Sequence, residues 1–363
     1  MKAVLHHFKN YDWMLLGSAM LLVAFGLLSL YSFSMGRGDF SIFFKQLVFF
    51  GISFFAMVLV SFLDWRLIRN NPYLILVLYG IGIAALIGLL LFVEPVRGIR
   101  GWYQIAGISL NPIEYVKIIL VILMAKYFST RHIEAYRLRH IILSGLYFAL
   151  PVILIFQQPD FGSAAILAVL WLVTLLVAGI PFKYFLTVIA LGAIVLVLGW
   201  SFALQEYQKD RIRGFLDPSA DPQGIGWSPM QSKIAIGNGG IWGQGLGEGT
   251  QTQYGFLSEP HTDFIFAAIG EEFGLAGILI LFVLFILFLG RVLKIGSEAA
   301  SNFPRLFAVG FAILLMFQII VNVGMNLGLL PIVGLPLPFL SYGGSSLLML
   351  FLGIGILQSV KTH

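Results

Sequence analysis

The chain re-enters an apolar segment at Glu259-Pro260-His261-Thr262-Asp263-Phe264-Ile265-Phe266, inside the stretch 205–272 that holds most of its polar residues. On both sides of this stretch the sequence is almost continuously apolar. Asp263 is therefore a carboxylate placed where a polar loop meets a hydrophobic segment. The length of the apolar segments on both sides decides the fold, and the fold decides what surrounds that carboxylate.

The composition is that of an integral membrane protein. The 363 residues are 59% hydrophobic and 11% charged, whereas soluble domains average about 45–50% apolar and about 25% charged residues. The apolar runs are long and do not alternate in short units, which favours membrane-spanning helices over an outer-membrane barrel. The absence of cysteine excludes disulfides and thiolate metal sites. A net charge of +5, spread over loops, fits membrane topology better than nucleic-acid binding.

A helical span needs about 20 apolar residues. The sequence predicts an all-α polytopic membrane protein with ten transmembrane helices and a large extracytoplasmic loop, 205–262, between helices 7 and 8. The predicted spans are 12–33, 43–63, 72–94, 112–129, 141–157, 163–180, 182–204, 262–290, 304–330 and 340–360.

The positions of Lys and Arg predict the orientation. Ten spans put both termini on one side, and thirteen Lys and Arg residues fall on that side, against five in or beside the short loops opposite. Four more lie in the long loop, which the positive-inside rule exempts. We therefore expect cytoplasmic termini, with the long loop and the segments 97–111, 157–162 and 331–338 facing outward.

The long loop carries two signals of local structure. Ser228-Pro229-Met230-Gln231 predicts a capping box and a short helix to about Ile236. A glycine-rich segment, 237–249, follows, and its backbone is suited to a close approach to a ligand or to another segment. No strand precedes these glycines, so the pattern favours a flexible or tightly packed loop over a phosphate cradle.

The acidic residues near the loop end each have two interpretations. Thr262 is an expected N-cap, so Asp263 either complements the positive end of the helix dipole, worth about 0.3–1 kcal/mol, or does chemistry. Spacing alone favours the dipole. Glu271 and Glu272 lie further into the same segment, where carboxylates are costly in lipid. At least one should face the protein interior or a wet cavity, as a structural partner or as a substrate contact.

A second helix start is predicted at Asn111-Pro112-Ile113-Glu114, with an N-cap, a proline at the first helical position and a glutamate at the third. The simplest role for Glu114 is to complete the capping box. Lys117 lies on the same face and is a possible ion-pair partner. Alternatively, the two residues line a polar pocket in which Lys117 attracts an anionic head group.

The remaining candidates have structural roles available to them. Arg100 and Trp102 are typical of a lipid-phosphate contact and a membrane anchor, and Asp160 is a possible helix cap. Gln318, Asn322 and Asn326 recur every four residues, a pattern that more often joins helices than binds substrate. The small residues of 339–346 favour close helix packing. No histidine pair has metal-ligand spacing, so a protein-built zinc site is not expected.

At these residues the chain resembles the SEDS family (shape, elongation, division and sporulation). The matching motifs occur in the family's order across nearly the whole chain, and the form of the long loop is closer to the elongation branch than to the division branch. The motifs are Arg100-Gly101-Trp102, Asn111 to Lys117, Gln158-Pro159-Asp160-Phe161-Gly162-Ser163, Gln231 to Gly240, His261 to Phe266 with Gly270-Glu271-Glu272, and Pro338 to Ser346.

The resemblance implies a peptidoglycan glycosyltransferase that polymerises lipid II at the outer face of the bacterial cytoplasmic (inner) membrane. The family's essential aspartate corresponds to Asp263, and its sensitive Trp and Glu correspond to Trp102 and Glu114. The expected partners are lipid II, a class B penicillin-binding protein and other elongation-complex membrane proteins, with no nucleic acid. The chain departs from the family at Asn111-Pro112-Ile113-Glu114, where Gln-Pro-Ser-Glu is common, and at Arg100-Gly101, where two basic residues are common.

On this interpretation Asp263 is the general base that activates a sugar hydroxyl. His261, Thr262, Asp160 and Ser341 are further candidates for substrate contact. The leaving diphosphate would be stabilised by Lys117, Arg100 or Lys233, or by a divalent cation such as Mg²⁺ or Mn²⁺ for which Asp263 and Glu114 are possible ligands.

Two other functional classes remain. A lipid II flippase would use the same lipid, but it predicts polar residues through the full membrane depth, whereas these gather near the outer face. A non-catalytic scaffold for the penicillin-binding protein gives no reason for buried acids.

Overall fold

The structure is a computed structural model that describes residues 7–95, 100–105, 107–130, 138–202, 206–217, 221, 224 and 226–363. Parts of the predicted loop 205–262, namely 205, 218–220, 222, 223 and 225, lie outside the described residues. The helices are α1 Trp13–Arg37, α2 Ser41–Phe62, α3 Trp65–Asn70, α4 Pro72–Phe92, α5 Pro112–Ser129, α6 Leu138–Gln157, α7 Phe161–Val177, α8 Phe182–Phe202, α9 Glu206–Leu216, α10 Trp227–Asn238, α11 Thr250–Gln253, α12 Ile265–Glu298, α13 Asn302–Asn326 and α14 Gly344–Thr362.

A short antiparallel hairpin precedes α5. Strand β1, Tyr103–Ile105, pairs with β2, Ile108–Leu110, so that Gln104 lies opposite Ser109. The sequence predicted a loop here, because three-residue strands carry too little pattern to be recognised.

The helices agree with a multi-pass membrane protein. A helix lies in each of the ten predicted ranges. Seven of the described helices (α1, α2, α4, α6, α12, α13 and α14) are long and apolar enough to cross a membrane. The apolar helix α7 and the apolar part of α8 are shorter, and α5 carries Glu114, Lys117 and Lys126. The number of spans, ten, stays a prediction.

The centre of the bundle is formed by α13 and α14, whose apolar segments are 67% buried, against 17% for α2 and 22% for α4. Helix α13 packs against α12 and α5, and α14 packs against α2. In α13, Phe303, Phe307 and Phe311 stack in a column with ring centres 6.5 and 6.0 Å apart. The outer helices leave large apolar side chains exposed, as expected for surfaces that face lipid.

Helix α12 is broken at Gly274, which has φ 63° and ψ −163°. The glycine-rich segment fills the break. Its Gln244 and Gly245 N–H groups donate to the carbonyls of Glu271 and Glu272 (2.9 and 3.0 Å), while Leu275 and Ala276 N–H groups donate to the carbonyls of residues 240 and 241 (both 3.0 Å). Backbone groups at membrane depth need such partners, so this loop completes the helix.

The glycines are needed for this contact. A Cβ added at Gly239 would lie 1.9 Å from the carbonyl oxygen of Gly270, and one at Gly243 would lie 2.1 Å from that of Glu272. Of the expected alternatives for this segment, the structure shows the tightly packed loop.

The short helix predicted from Ser228 to about Ile236 is confirmed by α10, but its predicted capping box is wrong. Helix α10 begins at Trp227, one residue before Ser228. Its N-cap residue is Gly226, which has no side chain to cap the helix. The hydroxyl of Ser228 lies 2.7 Å from that of Ser258 and accepts a hydrogen bond from it. Ser228 therefore bonds to a residue that is distant in sequence and does not cap its own helix.

Candidate functional site

Three successive backbone carbonyls hold the segment 261–263 in place. The carbonyl of His261 accepts from the N–H of Tyr342 (2.8 Å), and that of Thr262 accepts from the hydroxyl of Ser341 (2.6 Å). The carbonyl of Asp263 accepts from the side-chain amides of both Asn322 and Asn326 (3.0 Å each). The backbone that carries the Asp263 carboxylate is therefore fixed by residues 59 to 81 positions further along the chain.

The carboxylate of Asp263 is half-buried at the junction between loop and helix. It lies beside Gly334, where an added Cβ would be 3.5 Å from Oδ2, so the segment 331–338 forms one wall of the site. The expected N-cap is wrong: α12 begins at Ile265, the N-cap position is Phe264, and no side chain caps it. Thr262 instead donates its hydroxyl to the Glu259 carbonyl (3.5 Å).

Ser341 acts on the backbone of two segments at once. Its hydroxyl donates to Thr262 and accepts from the N–H of Leu337 (2.8 Å). The amide of Gln46, which is buried in α2, donates to the Ser341 carbonyl (3.3 Å) and accepts from the N–H of Gly343 (3.1 Å). In this structure Ser341 therefore positions the Asp263 segment and the 331–338 wall relative to each other.

The imidazole of His261 packs on α1. It stacks on Phe33 with ring centres 5.1 Å apart, and the guanidinium of Arg37 lies 4.4 Å from the centre of the same Phe33 ring. Burial lowers the pKa of His261 below its ordinary value, and the positive charge of Arg37 lowers it further, although Glu259 raises it. The ring is consequently neutral at pH 7 and serves as an aromatic packing surface beside Asp263.

Glu114 and Lys117 form a buried ion pair, with Nζ 2.7 Å from Oε1 and side-chain exposures of 1% for the lysine and 10% for the glutamate. The predicted N-cap Asn111 is confirmed, since its side chain accepts from the Ile113 N–H (2.9 Å). The second half of the capping box is not made, because the Asn111 N–H donates to the hydroxyl of Ser345 (3.1 Å). That bond ties the start of α5 to the segment that holds Thr262.

Asp160 and Lys233 approach the same region from two other helices. Asp160 caps α7 by accepting from the Ser163 N–H (3.0 Å), as predicted. Next to it, an added Cβ at Gly162 would lie 2.6 Å from the Val333 carbonyl oxygen, so the start of α7 supports the 331–338 wall. Lys233 is exposed, and its ammonium lies over Gly328 at the end of α13.

Glu271 and Glu272 serve the structure of the loop. Glu271, fully buried, accepts from the N–H of Gln251 (2.6 Å) and from both the N–H and the hydroxyl of Thr252 (3.0 and 2.7 Å). Glu272 accepts from the hydroxyl of Ser32 and the amide of Gln253. Of the two expected roles, the structure shows these residues as structural partners that bind α11 to α12.

Comparison with known proteins decides the family. The profile described as FTSW_RODA_SPOVE, cell cycle protein, matches residues 12–363. The chain belongs to the FtsW–RodA–SpoVE family. It is 39% identical over 292 residues to the peptidoglycan glycosyltransferase MrdB of Escherichia coli K12, covering 80% of this chain and 78% of MrdB. It is 34% identical over 364 residues to the stage V sporulation protein E of Bacillus subtilis, covering 97% of each chain.

Solved structures support the fold. A chain from a structure described as the structural coordination of polymerization and crosslinking by a peptidoglycan synthase complex has a TM-score of 0.82 and 30% identity, with 97% of each chain covered. The crystal structure of the Thermus thermophilus rod shape determining protein RodA has a TM-score of 0.72 and 28% identity, covering 97% of this chain and 96% of RodA. The resemblance to the SEDS family, and to RodA within it, is confirmed.

In this FtsW–RodA–SpoVE family member, two predicted site residues have described contacts or positions outside the group around Asp263. The guanidinium of Arg100 donates to the carbonyl of Leu90, at the end of α4. Trp102 is 41% exposed where the chain enters the β1–β2 hairpin. Among the described contacts, none joins either residue to the segment 261–263.

Several residues that hold the site were not predicted as part of it. Asn322 and Asn326 appeared only as a polar stripe that joins helices, yet they bind the Asp263 carbonyl directly. Their four-residue spacing was a usable signal, because buried amides need partners. Gln46 and Phe33 gave no signal, since single residues in apolar helices show no pattern.

Proposed function

We propose that this RodA-like chain is a peptidoglycan glycosyltransferase that polymerises lipid II at the outer face of the cytoplasmic membrane during cell elongation. The observation that carries the proposal is the fixed backbone of Asp263, which presents a half-buried carboxylate where a loop enters the bundle. Kinship with a named peptidoglycan glycosyltransferase supports it. A lipid-linked sugar can reach such a carboxylate while its tail stays in the bilayer.

The membrane arrangement is part of the proposal. Ten spans, with both termini in the cytoplasm, put Asp263 and the 331–338 wall on the outer side. The bias of thirteen Lys and Arg residues against five supports this orientation.

In the proposed step, the Asp263 carboxylate takes the proton from the 4-hydroxyl of the acceptor sugar. The resulting oxygen nucleophile forms the glycosidic bond at the anomeric carbon of the donor, and the bond from that carbon to the diphosphate breaks with its electron pair. One carboxylate is sufficient for this single inverting displacement, because neither an attacking water nor a covalent intermediate is needed. A general base must come within about 2.6–3.2 Å of the proton it takes. The fixed backbone at Asp263 helps to hold its carboxylate at such a distance from the sugar hydroxyl.

The diphosphate leaves with negative charge that basic groups stabilise. Lys233 is the best placed of the three candidates, because it is exposed and lies beside the end of α13. Lys117 is already paired with Glu114, and Arg100 is bonded to a backbone carbonyl. We assign His261, Thr262, Ser341 and Asp160 to holding the site in shape.

The described side chains of the site offer too few ligands to hold a divalent cation unless the substrate provides further oxygen ligands. The described residues contain no cluster of three His, Cys, Asp or Glu side chains, and Glu114 is committed to Lys117. Mg²⁺ is commonly held by one or two carboxylates together with substrate phosphates, and Asp263 offers one carboxylate. A bound cation would neutralise charge on the diphosphate.

Resemblance to a chain from a peptidoglycan synthase complex supports a protein partner. We propose a class B penicillin-binding protein, which crosslinks the new strands, together with other membrane proteins of the elongation complex.

The test uses purified protein in detergent and lipid II. We expect polymer from the wild type, none from Asp263→Asn, and a normal amount from Glu248→Gln, an exposed acid of the glycine-rich segment. Equal thermal stability of the three proteins would show that folding is intact. Normal polymer from Asp263→Asn would remove Asp263 from the mechanism. Absence of polymer from the wild type, combined with lipid II movement across vesicle membranes, would favour the flippase.

A further inference from the structure

A cavity of about 330 Å³ lies at the far end of α12 from Asp263. It is formed where four helices end or begin: the short helix α3, the end of α12, the start of α13 and the end of α14. Its polar and aromatic lining consists of Trp65, Arg66, Arg69, Glu298, Ser301 and His363. Because α12 is 34 residues long, at about 1.5 Å per residue this cavity is separate from the site proposed above.

The two arginines are ordered on an aromatic platform. Their guanidinium carbons lie 5.7 Å (Arg66) and 5.3 Å (Arg69) from the centre of the Trp65 ring. Trp65 is itself buried and nearly parallel to Phe303, with ring centres 5.8 Å apart and 6° between their planes. The backbone N–H of Trp65 donates to the hydroxyl of Ser359 (3.1 Å). Cation–π stacking of this kind fixes the direction of the guanidinium donors.

Three of the residues that line the cavity have charged side chains, Arg66, Arg69 and Glu298. Glu298 is neutralised twice, by Lys361 (2.7 Å) and by Lys294 (3.7 Å). Arg66 lies 3.4 Å from Asp64 and also donates to the carbonyl of His363 (3.1 Å). Arg69 makes a hydrogen bond to the Asn70 side-chain oxygen (3.2 Å) and has no carboxylate partner among the described residues. Among the described residues, Arg69 therefore brings to the cavity a positive charge that no carboxylate neutralises.

Helix α13 starts at the same cavity without a side-chain cap. Its N-cap residue, Ser301, makes no capping bond, and in the part of the chain that the structure describes the buried Ser301 hydroxyl has no hydrogen-bond partner. The first N–H groups of a helix lack intrahelical acceptors and carry partial positive charge. Two guanidinium groups, of Arg66 and Arg69, and a helix start thus border one cavity, a combination that suits an anion with several acceptor oxygens.

We propose that this cavity binds a phosphate group at the membrane surface. In the proposed arrangement of ten spans with cytoplasmic termini, the helix ends that form it lie on the cytoplasmic side, at the ends of spans. The side chains of Leu63 and Leu67, which flank Arg66 in sequence, are 57% and 60% exposed and offer a surface for acyl chains. These features favour the head group of an anionic phospholipid over a soluble phosphate, and basic pockets between helices are known to bind such head groups.

The test is thermal unfolding of the purified full chain in detergent, with three probes: dioctanoyl phosphatidylglycerol, dioctanoyl phosphatidylcholine and inorganic phosphate. A ligand that binds only the folded state raises Tm, and we expect a rise of about 3–6 °C with phosphatidylglycerol. Arg69→Gln and Arg66→Gln should each lose at least half of this rise. Lys183→Gln removes one positive charge from the same predicted membrane side without lining the cavity, and it should keep the full rise.

The probes also separate the two sources of phosphate. A rise with phosphatidylglycerol alone assigns the site to a lipid head group, and an equal rise with inorganic phosphate assigns it to a soluble ligand. An equal rise with phosphatidylcholine, or an unchanged rise in both Arg69→Gln and Arg66→Gln, would overturn the proposal. Polymer synthesis from lipid II is a separate measurement, so this result does not depend on the role of Asp263.

Discussion

The side-chain amide of Asn326 donates a hydrogen bond to the backbone carbonyl of Asp263 across 3.0 Å. The same amide group accepts from the N–H of Ala267 (3.2 Å), so Asn326 binds the chain on both sides of the start of α12. One residue of α13 therefore holds the backbone on both sides of that helix start. Asn322, one turn earlier, adds a second bond to the same carbonyl (3.0 Å).

Asn326→Ala should reduce lipid II polymerisation by about 10–100-fold, because a displacement of roughly 1 Å at a catalytic group costs rate on that scale. It also leaves the buried N–H of Ala267 without its acceptor, at about 1–3 kcal/mol of stability. The matched control is Gln318→Ala, two turns away on the same buried stripe. Polymer length and rate, measured beside the melting temperature, separate the two effects. Equal rates for the two variants would contradict the positioning role.

The buried pair of Glu114 and Lys117 predicts a non-additive double mutant. Removing one partner strands a buried charge and should cost about 3–5 kcal/mol, so Glu114→Gln and Lys117→Met each lower the stability strongly. The combination should recover most of it, because neither charge remains. Denaturation of the wild type, the two single mutants and the double mutant gives the four free energies of unfolding that the double-mutant cycle needs. Simple addition of the two losses would show that the residues act independently.

Activity of the same double mutant tests the pocket interpretation. If the pair only supports α5, polymerisation should recover together with stability. If Lys117 also contacts the substrate's anionic head group, the double mutant stays inactive although it is folded.

Gly274→Ala should destabilise the protein, by about 1–3 kcal/mol from the backbone alone. The positive φ is unfavourable for alanine, and the added Cβ would lie 2.3 Å from the backbone nitrogen of Gly243. Gly290→Ala lies in the same helix with no atom within 4 Å of the added Cβ, and it should be neutral or stabilise by up to about 1 kcal/mol. Melting temperatures of the two variants provide the comparison, and similar values would contradict a filled break in α12.

The neutral imidazole of His261 predicts a loss of stability in acid. Burial lowers its pKa in the folded protein, so below the ordinary histidine pKa of about 6.5 the unfolded chain binds more protons than the folded one. Stability is complete above that pH and falls as the pH drops further. His261→Gln should unfold with a smaller dependence on pH between about 7.5 and 5.5. Melting curves at several pH values measure it, and an unchanged slope in the variant would rule out His261 as the source.

The sequence located the helices well because apolar length and start signals are local. The cap at Asn111 and the cap at Asp160 both follow from residues within three positions. Local signals failed where a distant partner competed. Ser228 bonds to Ser258 instead of capping its helix, and the Asn111 N–H donates to Ser345, so the second half of the capping box predicted for Glu114 is not made.

The amino-acid sequence by itself determined a polytopic helical membrane protein, its family, and the candidate carboxylate Asp263 at a loop–helix junction. These follow from composition, run length and motifs, which need no knowledge of what lies across the bundle. Only the tertiary structure decided that Asn322, Asn326 and Ser341 hold the segment 261–263, and that the glycine-rich segment completes the broken helix α12. The physical reason is that a buried donor or acceptor needs a partner, and the fold often brings that partner from a distant part of the chain. The order of residues in the sequence does not show which distant residues come together.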